Sequence, residues 1–429
     1  MKILFFCSEN IIAGNLAYIM KKEGHDVRLF IDDMERSANF DGLVEKIEDW
    51  SEGVKWVGKD GLIIFDDVGY GERQDDLRQQ GYSVFGGSAL ADKLEFDREY
   101  AQNIFEEHGL KKLETLNFTS LQECRKFVSS HPGPWVIKQN GHEAKDINYV
   151  SSFEDNRDIL TVLDSYEKSY SGKVITLQKK VVGVEVGVGR YFNGNDWVGP
   201  IEMNFEYKKM FSSDLGPNTT EMGTIGWYDD NEKNKLFLEV LAPLKPYLQK
   251  IRFKGDFEIN CIVNEGGAYP LEASPRFGSP IIYLHCELHE SPWGEFLKAV
   301  ADGENYDLKW KRGQGIVLLL ATPPFPYAKK MSHLTSCGNG IFFKKELTEE
   351  EFSHIHFEGV SLEGDRYFVS DDVGYILYVT AVAEDIANAQ KKAYTMIVDI
   401  VVPKGFYRDD IGDRVSRNDI PKLRSLGYL

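Results

Sequence analysis

The chain has 429 residues, 42% hydrophobic and 28% charged, and its 50 Lys+Arg against 68 Asp+Glu give a formal net charge of −18. That mixture is globular rather than disordered, and at roughly 150 residues per domain it predicts about three domains. The acidic excess, with no Lys/Arg-rich block, argues against a nucleic-acid partner, whereas a small phosphate ligand needs only a few placed cations. Along the chain, Ile3–Cys7 reads as a buried parallel strand, and Leu16, Ile19 and Met20 recur at helical spacing before Gly24. Val27–Ile31, Gly61–Phe65 and Tyr82–Phe85 are further apolar runs, and this alternation predicts a parallel sheet flanked by helices. Ligands of such sheets sit at the carboxyl ends of strands, here near Ser8–Asn10 and Asp66–Gly71. One helical stretch is predicted over Lys93–His108, then strands at Trp135–Lys138, Val174–Gln178 and Val184–Tyr191. From Gln314 on, the chain is rich in Val, Ile, Phe and Tyr, and it closes with one helical pattern, Ile386–Val401.

The five cysteines (Cys7, Cys124, Cys261, Cys286, Cys337) are far apart and form no C-x-x-C pair, which predicts reduced thiols and a cytoplasmic location. The opening apolar run stops at Ser8-Glu9-Asn10, short of the roughly 7–15 residues of a signal peptide's apolar region. The run Ile316–Ala321 ends at Thr322-Pro323-Pro324, too short to cross a bilayer, so no membrane partner is expected.

Three local features carry chemistry. Gly255-Asp-Phe-Glu258-Ile and Tyr269-Pro-Leu-Glu272-Ala-Ser-Pro-Arg276 flank the turn Asn264-Glu-Gly-Gly267, so Glu258 and Glu272 project from neighbouring strands of a hairpin. Such a carboxylate pair wants a cation, and Mg²⁺ takes carboxylates together with phosphates; the same hairpin also reads as an exposed one with solvated glutamates. Arg276, two residues past Ser274, points the way Ser274 does and can hold a phosphate. Asp214-Leu-Gly-Pro-Asn-Thr-Thr-Glu-Met-Gly223 offers carboxylate, amide and hydroxyl groups on one short loop, and taken alone is an ordinary surface loop. Lys138, ending an apolar strand, is either a point charge for a nucleotide phosphate or a snorkelling lysine. Two histidine pairs are set aside: His285 and His289 lack the H-E-x-x-H order of a metal helix, and His354 and His356 read as a strand's solvated face.

In this order the features resemble the ATP-grasp ligases, and within them the glycinamide ribonucleotide synthetase (phosphoribosylamine–glycine ligase) family, nearly end to end. Phe85-Gly-Gly-Ser-Ala-Leu-Ala-Asp-Lys-Leu-Glu95 looks like the stretch ahead of the family's ATP-binding region, and Lys138-Gln-Asn-Gly141 is similar to its K-A-D-G. Gly183-Val-Glu185 resembles its G-E-E, and Tyr207-Lys208-Lys209 with Asp214–Gly223 resembles H-K-R and D-x-G-P-N-T-G-G-M-G. Glu272-Ala-Ser-Pro-Arg-Phe-Gly-Ser-Pro280 looks like E-x-N-x-R-F-G-D-P, and Phe406–Gly412 like F-R-x-D-I-G.

The resemblance implies an α/β ATP-grasp fold: an N-terminal parallel-sheet domain over 1–110, a small lobe over 111–178, a large lobe over 179–308 with the metal and acyl-phosphate site, and a mainly β C-terminal domain over 309–429. It implies ATP and Mg²⁺, or Mn²⁺ in its place, with small-molecule carboxylate and amine substrates joined through an acyl phosphate by a monomer or homodimer. Adenine would lie along Gln178, Lys179 and Val181 with Glu185 on the ribose; Arg98, Lys138 and Lys145 would meet the phosphates; Glu258, Glu272 and Ser274 would hold the metal. Arg276, Asp214 and Asn218 are the implied catalytic residues, and Ser8, Asp66, Asp67, Lys208, Asn218, Thr219 and Arg276 the implied substrate contacts.

Several segments depart from the family. Its glycine-rich G-x-G-G-R-E-H loop, which holds a substrate phosphate, is here Cys7-Ser-Glu-Asn-Ile-Ile-Ala-Gly14, and G-P-E-x-P-L is Asp66-Asp-Val-Gly-Tyr-Gly71. A carboxylate there repels phosphate and favours a cationic or polyhydroxyl amine. Arg98 stands for a lysine, Ser274 for the metal-side asparagine, Thr220-Glu221 for a double glycine, and the lid shortens to His142-Glu-Ala-Lys145. The alternative is a catalytically degenerate module that binds nucleotide or a partner protein. A Rossmann oxidoreductase is discarded, because Ser8–Gly14 lacks G-x-G-x-x-G.

Overall fold

The computed structural model describes residues 1–8, 11–139, 148–167, 174–327 and 335–429. The apolar run at the start forms β1 (Lys2–Cys7), buried from Ile3 onward between β2 (Asp26–Ile31) and β4 (Leu62–Phe65), with β3 (Glu45–Lys46) and β5 (Val84–Phe85) at the edges. All pairings are parallel and the order is β3-β2-β1-β4-β5. The chain therefore leaves β1 in one direction and resumes at β4 in the other, which puts the crevice of the sheet at the carboxyl ends of β1 and β4, where Ser8 and Asp66 lie. Helix α1 (Gly14–Lys22) stops before Gly24, whose φ of +89° suits glycine. Helices α2 (Trp50–Val57) and α3 (Gly71–Gln79) follow.

The single helix predicted over Lys93–His108 is two, α4 (Ala89–Phe96) and α5 (Arg98–Glu107). Asp97 divides them because its carboxylate caps the second helix, accepting from the Tyr100 N–H at 3.1 Å. A small antiparallel sheet comes next: β6 (Thr115–Phe118), β7 (Trp135–Gln139), β8 (Tyr149–Val150) and β9 (Ile175–Lys179) in the order β6-β9-β7-β8. Helices α6 (Leu121–Ser130) and α7 (Arg157–Tyr166) cover it around their own core of Cys124, Trp135, Ile159 and Leu177.

The rest of the chain builds one eight-stranded sheet. It takes β10 (Val184–Asn193) and β11 (Trp197–Glu206), passes through the ribbon of β12 (Lys209–Phe211) and β13 (Leu215–Asn218), and continues with β14 (Gly223–Asp229), β15 (Lys254–Asn264), β16 (Gly267–Ser274) and β17 (Gln314–Ala321). Helices α8 (Lys245–Lys250), α9 (Ile281–Leu288) and α10 (Trp293–Asp302) interrupt it. Beyond them, β18 (Gly340–Phe343), β20 (Val360–Glu363), β21 (Arg366–Val369) and β23 (Ile400–Val401) form a separate four-stranded sheet, while β19 (Ile355–Phe357) and β22 (Tyr375–Ala383) rejoin the large one. The order is β16-β15-β10-β11-β14-β17-β22-β19, so strands from both sides of residue 308, which lies in the loop before β17, share one sheet. The helix predicted over Ile386–Val401 is shorter, Ile386–Ile397, because β-branched Ile400 and Val401 pair with β18 instead, and it does not close the chain: a further helix spans Ile420–Ser425. Among the described residues no helix is long and apolar enough to cross a membrane.

His354 and His356 do not lie on a solvated face. His356 is 2% exposed, because β19 packs under α1: Asn15 Nδ2 donates to its Nδ1 at 3.1 Å, and its Nε2–H donates to Thr380 Oγ1 at 3.0 Å. His354 meets Glu287 at 2.6 Å. Burial pushes His356 down to about 4, with Glu287 opposing and His354 adding. A folded value below the unfolded ~6.5 means the native state prefers the neutral ring, so stability is complete above ~6.5 and falls as pH drops toward 4. We expect wild-type protein to lose about 3 kcal/mol more than His356→Gln between pH 7 and pH 4 in urea unfolding; parallel curves would refute the assignment.

Candidate active site

The strand pairing puts one polar stripe on one face of the large sheet. Opposed residues of antiparallel strands share a face, and Gly189 faces both Glu202 and Glu258, Gly187 faces Asn204 and Asn260, Glu258 faces Ser274, and Asn260 faces Glu272. Alternation then collects Glu202, Asn204 and Glu206 from β11 and Asp256, Glu258 and Asn260 from β15 on that face. The intervening Met203, Phe205, Phe257, Ile259 and Ala273 are buried in the core on the other. Glycine is required between these strands, since a Cβ at Gly187 would sit 2.6 Å from Glu258 Oε1 and 2.5 Å from Asn204 Oδ1. The hairpin turn falls at Glu265-Gly266, so Glu258 and Glu272 do project from adjacent strands.

The stripe floors a cavity of about 740 Å³. Of the residues singled out in the sequence, Arg98, Lys208, Asn218, Thr219, Glu258, Glu272, Ser274 and Arg276 line it. Arg98 Nη2 is 3.1 Å from Glu272, and Lys208 bridges Glu185 at 2.9 Å, Glu206 at 2.6 Å and Glu272 at 3.8 Å. These carboxylates outweigh burial and hold the Lys208 ammonium well above its ordinary value; Lys208 in turn pulls Glu185 down. Lys138, at the end of β7, feels the same cluster: burial, opposed by Glu272 and aided by Arg98 and Lys208, lowers it to about 8. Burial, then Glu202 and Glu206, push Glu258 well above a carboxylate's usual range.

Arg276 is held on the other side. Its Nη2 donates to Glu95 at 3.0 Å and its Nε is 3.5 Å from Asp67, and these carboxylates outweigh burial to keep it charged. Asp67 accepts from the Ser8 hydroxyl at 3.0 Å, and Asp66 accepts from the Ser8 N–H at 2.9 Å and the Ala13 N–H at 3.4 Å. Burial first, and Asp67 second, raise Asp66 to about 7. The N-terminal crevice thus reaches Arg276, a placement fixed by Phe85 stacked on Phe277 at 5.0 Å and a bridge between Gly86 and Lys254.

Other predicted residues lie elsewhere. Gln178 is buried and donates to Thr115 Oγ1 at 3.1 Å, Lys179 lies over the Trp135 ring at 4.6 Å, and Val181 is half-buried in the segment joining β9 to β10. Asp214 is not among the residues lining the cavity: Arg408 at 2.8 Å and Arg414 at 3.5 Å hold its carboxylate, and positive φ at Ser213 and Asp214 turns the loop toward them. Glu9, Lys145 and the shortened lid lie outside the described residues. His285 and His289 do not share a ligand: the Tyr228 hydroxyl is 2.9 Å from His289 Nε2, and that ring stacks on Trp293.

The structure also adds residues. Glu206, Asn204, Asn260 and Glu221 line the cavity, and Asn204 Oδ1, Asn260 Oδ1 and Glu221 Oε1 are buried without a hydrogen-bond partner. Arg36 enters from below, bound to Glu358 at 2.8 Å and Asp371 at 2.9 Å. The period-two polar pattern Glu202–Asn204–Glu206 was the available signal, hidden because Asp256–Glu258–Asn260 had to be set beside it through β10. Carboxylate and amide oxygens aimed into one cavity next to Arg98, Lys208 and Arg276 are the donor set of a hard divalent ion bound with phosphates.

Comparison with known proteins agrees. Residues 96–281 match the ATP-grasp (A) domain of phosphoribosylglycinamide synthetase. The phosphoribosylamine–glycine ligases of Caldanaerobacter subterraneus (24% identical over 346 residues) and Clostridium acetobutylicum (25% over 354) each align over 79% of this chain and 80% of their own length. The crystal structure of the Thermotoga maritima phosphoribosylamine–glycine ligase superposes with a TM-score of 0.73 at 18% identity, over 96% of this chain and all of that one. The biotin carboxylase domain of Hydrogenobacter thermophilus 2-oxoglutarate carboxylase, solved with MgADP, shares the fold at a TM-score of 0.67 and 10% identity, covering 100% of this chain and 98% of that one. The chain has the ATP-grasp fold, and over residues 96–281 it is similar to the phosphoribosylglycinamide synthetases.

Proposed function

We propose that this ligase joins a carboxylate, with glycine the first candidate from its relatives, to an amine that carries no phosphate, by way of an acyl phosphate. ATP occupies the cleft between the small sheet and the large one, with adenine along Gln178, Lys179 and Val181 and the ribose near Glu185. Arg98 and Lys138 bind the phosphates, joined by Lys145. Glu258 and Glu272 would hold Mg²⁺ or Mn²⁺, with Ser274 and the newly found Asn260 beside them; such an ion would supply neutralisation of phosphate charge. Arg276 stabilises the phosphoryl group as it passes to the carboxylate, and the amine then displaces phosphate. Asn218 and Thr219 place the acyl end, on a loop that Asp214 anchors through Arg408 and Arg414. Retention of Glu258, Glu272 and Arg276 around one cavity speaks against a degenerate module. The five unpaired cysteines fit a cytoplasmic protein, working as a monomer or homodimer.

One observation carries the choice of amine: the crevice at the ends of β1 and β4 is acidic and the cations near it are already paired. Asp66 and Asp67 stand at it, Arg276 is bound to Glu95 and Asp67, Arg36 is bound to Glu358 and Asp371, and Glu221 is a buried acidic side chain in the wall of the adjoining cavity. A phosphate entering there meets repulsion; an ammonium or polyhydroxyl group meets acceptors. With MgATP and glycine, ADP release should be faster with unphosphorylated amino sugars or cationic amines than with phosphoribosylamine. Preference for phosphoribosylamine would refute the altered acceptor. Glu221→Gln should raise the KM of the preferred cationic amine about tenfold, the ~1.5 kcal/mol of one charge-assisted hydrogen bond.

A further inference from the structure

Behind the proposed Mg²⁺ position the polar stripe continues into the core. Glu202 on β11, Asp256 on β15 and His285 on α9 bring two carboxylate oxygens and an imidazole nitrogen within 4.8 Å of one another. The three residues are 2%, 2% and 1% exposed. Glu202 Oε2, Asp256 Oδ1 and His285 Nε2 each lack a hydrogen-bond partner, although His285 Nε2 and Glu202 Oε2 stand only 3.1 Å apart. Three converging buried orphans in one place are costly unless something sits between them.

The surroundings are arranged for an occupant. A Cβ at Gly189 would come 2.9 Å from Glu202 Oε2, so glycine at this position keeps the pocket open. The Tyr191 hydroxyl lies 3.0 Å from His285 Nδ1; a proton on Nδ1, donated to Tyr191, leaves the Nε2 lone pair facing the carboxylates. Tyr191 is itself hydrogen-bonded with Tyr228, whose hydroxyl lies 2.9 Å from His289 Nε2, so neither hydroxyl turns to His285 Nε2. The other oxygen of Glu202 accepts from Asn204 Nδ2 at 2.6 Å.

We propose that Glu202, Asp256 and His285 form a second cation site, structural and distinct from the ATP metal, which takes a first-row transition dication of the Zn²⁺ class. An imidazole with two carboxylates suits Zn²⁺, whereas Mg²⁺ prefers oxygen alone. Two ligands each ~2.0 Å from a tetrahedral Zn²⁺ stand ~3.3 Å apart, close to the gap between His285 and Glu202. The ion would pin α9 to β11 and β15, and through Glu202 and Asn204 it would steady the back of Glu258.

The test strips the full-length protein with a chelator and titrates Zn²⁺ alone, in excess Mg²⁺ to occupy the ATP-metal position, following bound metal by mass spectrometry and heat by calorimetry. One equivalent should bind, with affinity at least a hundredfold weaker in His285→Gln and in Gly189→Ala, which leaves every ligand in place but fills the cradle. Co²⁺ in place of Zn²⁺ should give visible bands of a nitrogen/oxygen site, lost in the same variants. Three results would overturn the site: no binding, binding unchanged in both variants, or a nitrogen NMR spectrum of wild type with both His285 nitrogens protonated. The last would mean that an imidazolium ion pair satisfies the carboxylates instead.

Discussion

Glu272→Ala should lower kcat for ADP formation by about 10²–10³-fold with little change in the KM for ATP. Glu272 sits among cations, 3.1 Å from Arg98 and 3.8 Å from Lys208, and supports the charge of Lys138. Removing it leaves these groups free for the ATP phosphates, so ground-state binding of the nucleotide is kept. What is lost is one of the two carboxylates that would hold the metal beside the transferring phosphate, on the strand next to that of Glu258. The fold should survive, because β16 is the edge strand of its sheet and Glu272 is only partly buried. Steady-state kinetics with a thermal melt as control separates the cases: an equal fall in kcat and rise in KM would mean that Glu272 acts through nucleotide binding instead.

Arg276→Ala should cost about 10³-fold, more than the loss of one hydrogen-bond donor. The guanidinium neutralises Glu95 and Asp67. Without it, both carboxylates face the place where phosphoryl charge develops, so attraction becomes repulsion. Arg276→Lys should recover little, because Nε and Nη2 both reach Glu95 Oε1, at 3.3 and 3.0 Å, and a lysine offers no such fork. Adding Glu95→Gln to Arg276→Ala should regain part of the rate; a double variant slower than the single one would show that Glu95 helps the reaction in its own right.

Local pattern made much of this molecule legible. The strands of the N-terminal sheet, the hairpin turn at Glu265-Gly266 and the placing of Glu258 and Glu272 on its two strands follow from apolar runs, glycine and alternation. The loop and R-F-G-x-P motifs identify the chemistry by resemblance, and most of their residues meet in one cavity. What stayed hidden depends on contacts between distant segments. His356 looks solvated until α1 covers it, with Asn15 as its partner 341 residues away. Asp97 is one polar residue inside a helical pattern, and only its hydrogen bond to Tyr100 turns it into a break. Asp214 has the right motif but the wrong neighbours, since Arg408 and Arg414 come from the far end of the chain. Asn204, Glu206 and Asn260 carry no motif and become a site only when β10 lays β11 beside β15. The net charge gains a location in the same way, with Asp66 and Asp67 at the ends of β1 and β4 beside Arg276, and Glu221 in the wall of the cavity.

The central claim is transfer of phosphate onto a carboxylate before the amine attacks, and one isotope experiment tests it most directly. The enzyme is given MgATP, an accepted amine and glycine whose carboxylate carries heavy oxygen, and the released inorganic phosphate is weighed. One heavy oxygen per phosphate, formed only when amine and carboxylate are both present, is the predicted result. ADP formed with unlabelled phosphate would contradict an acyl-phosphate ligase.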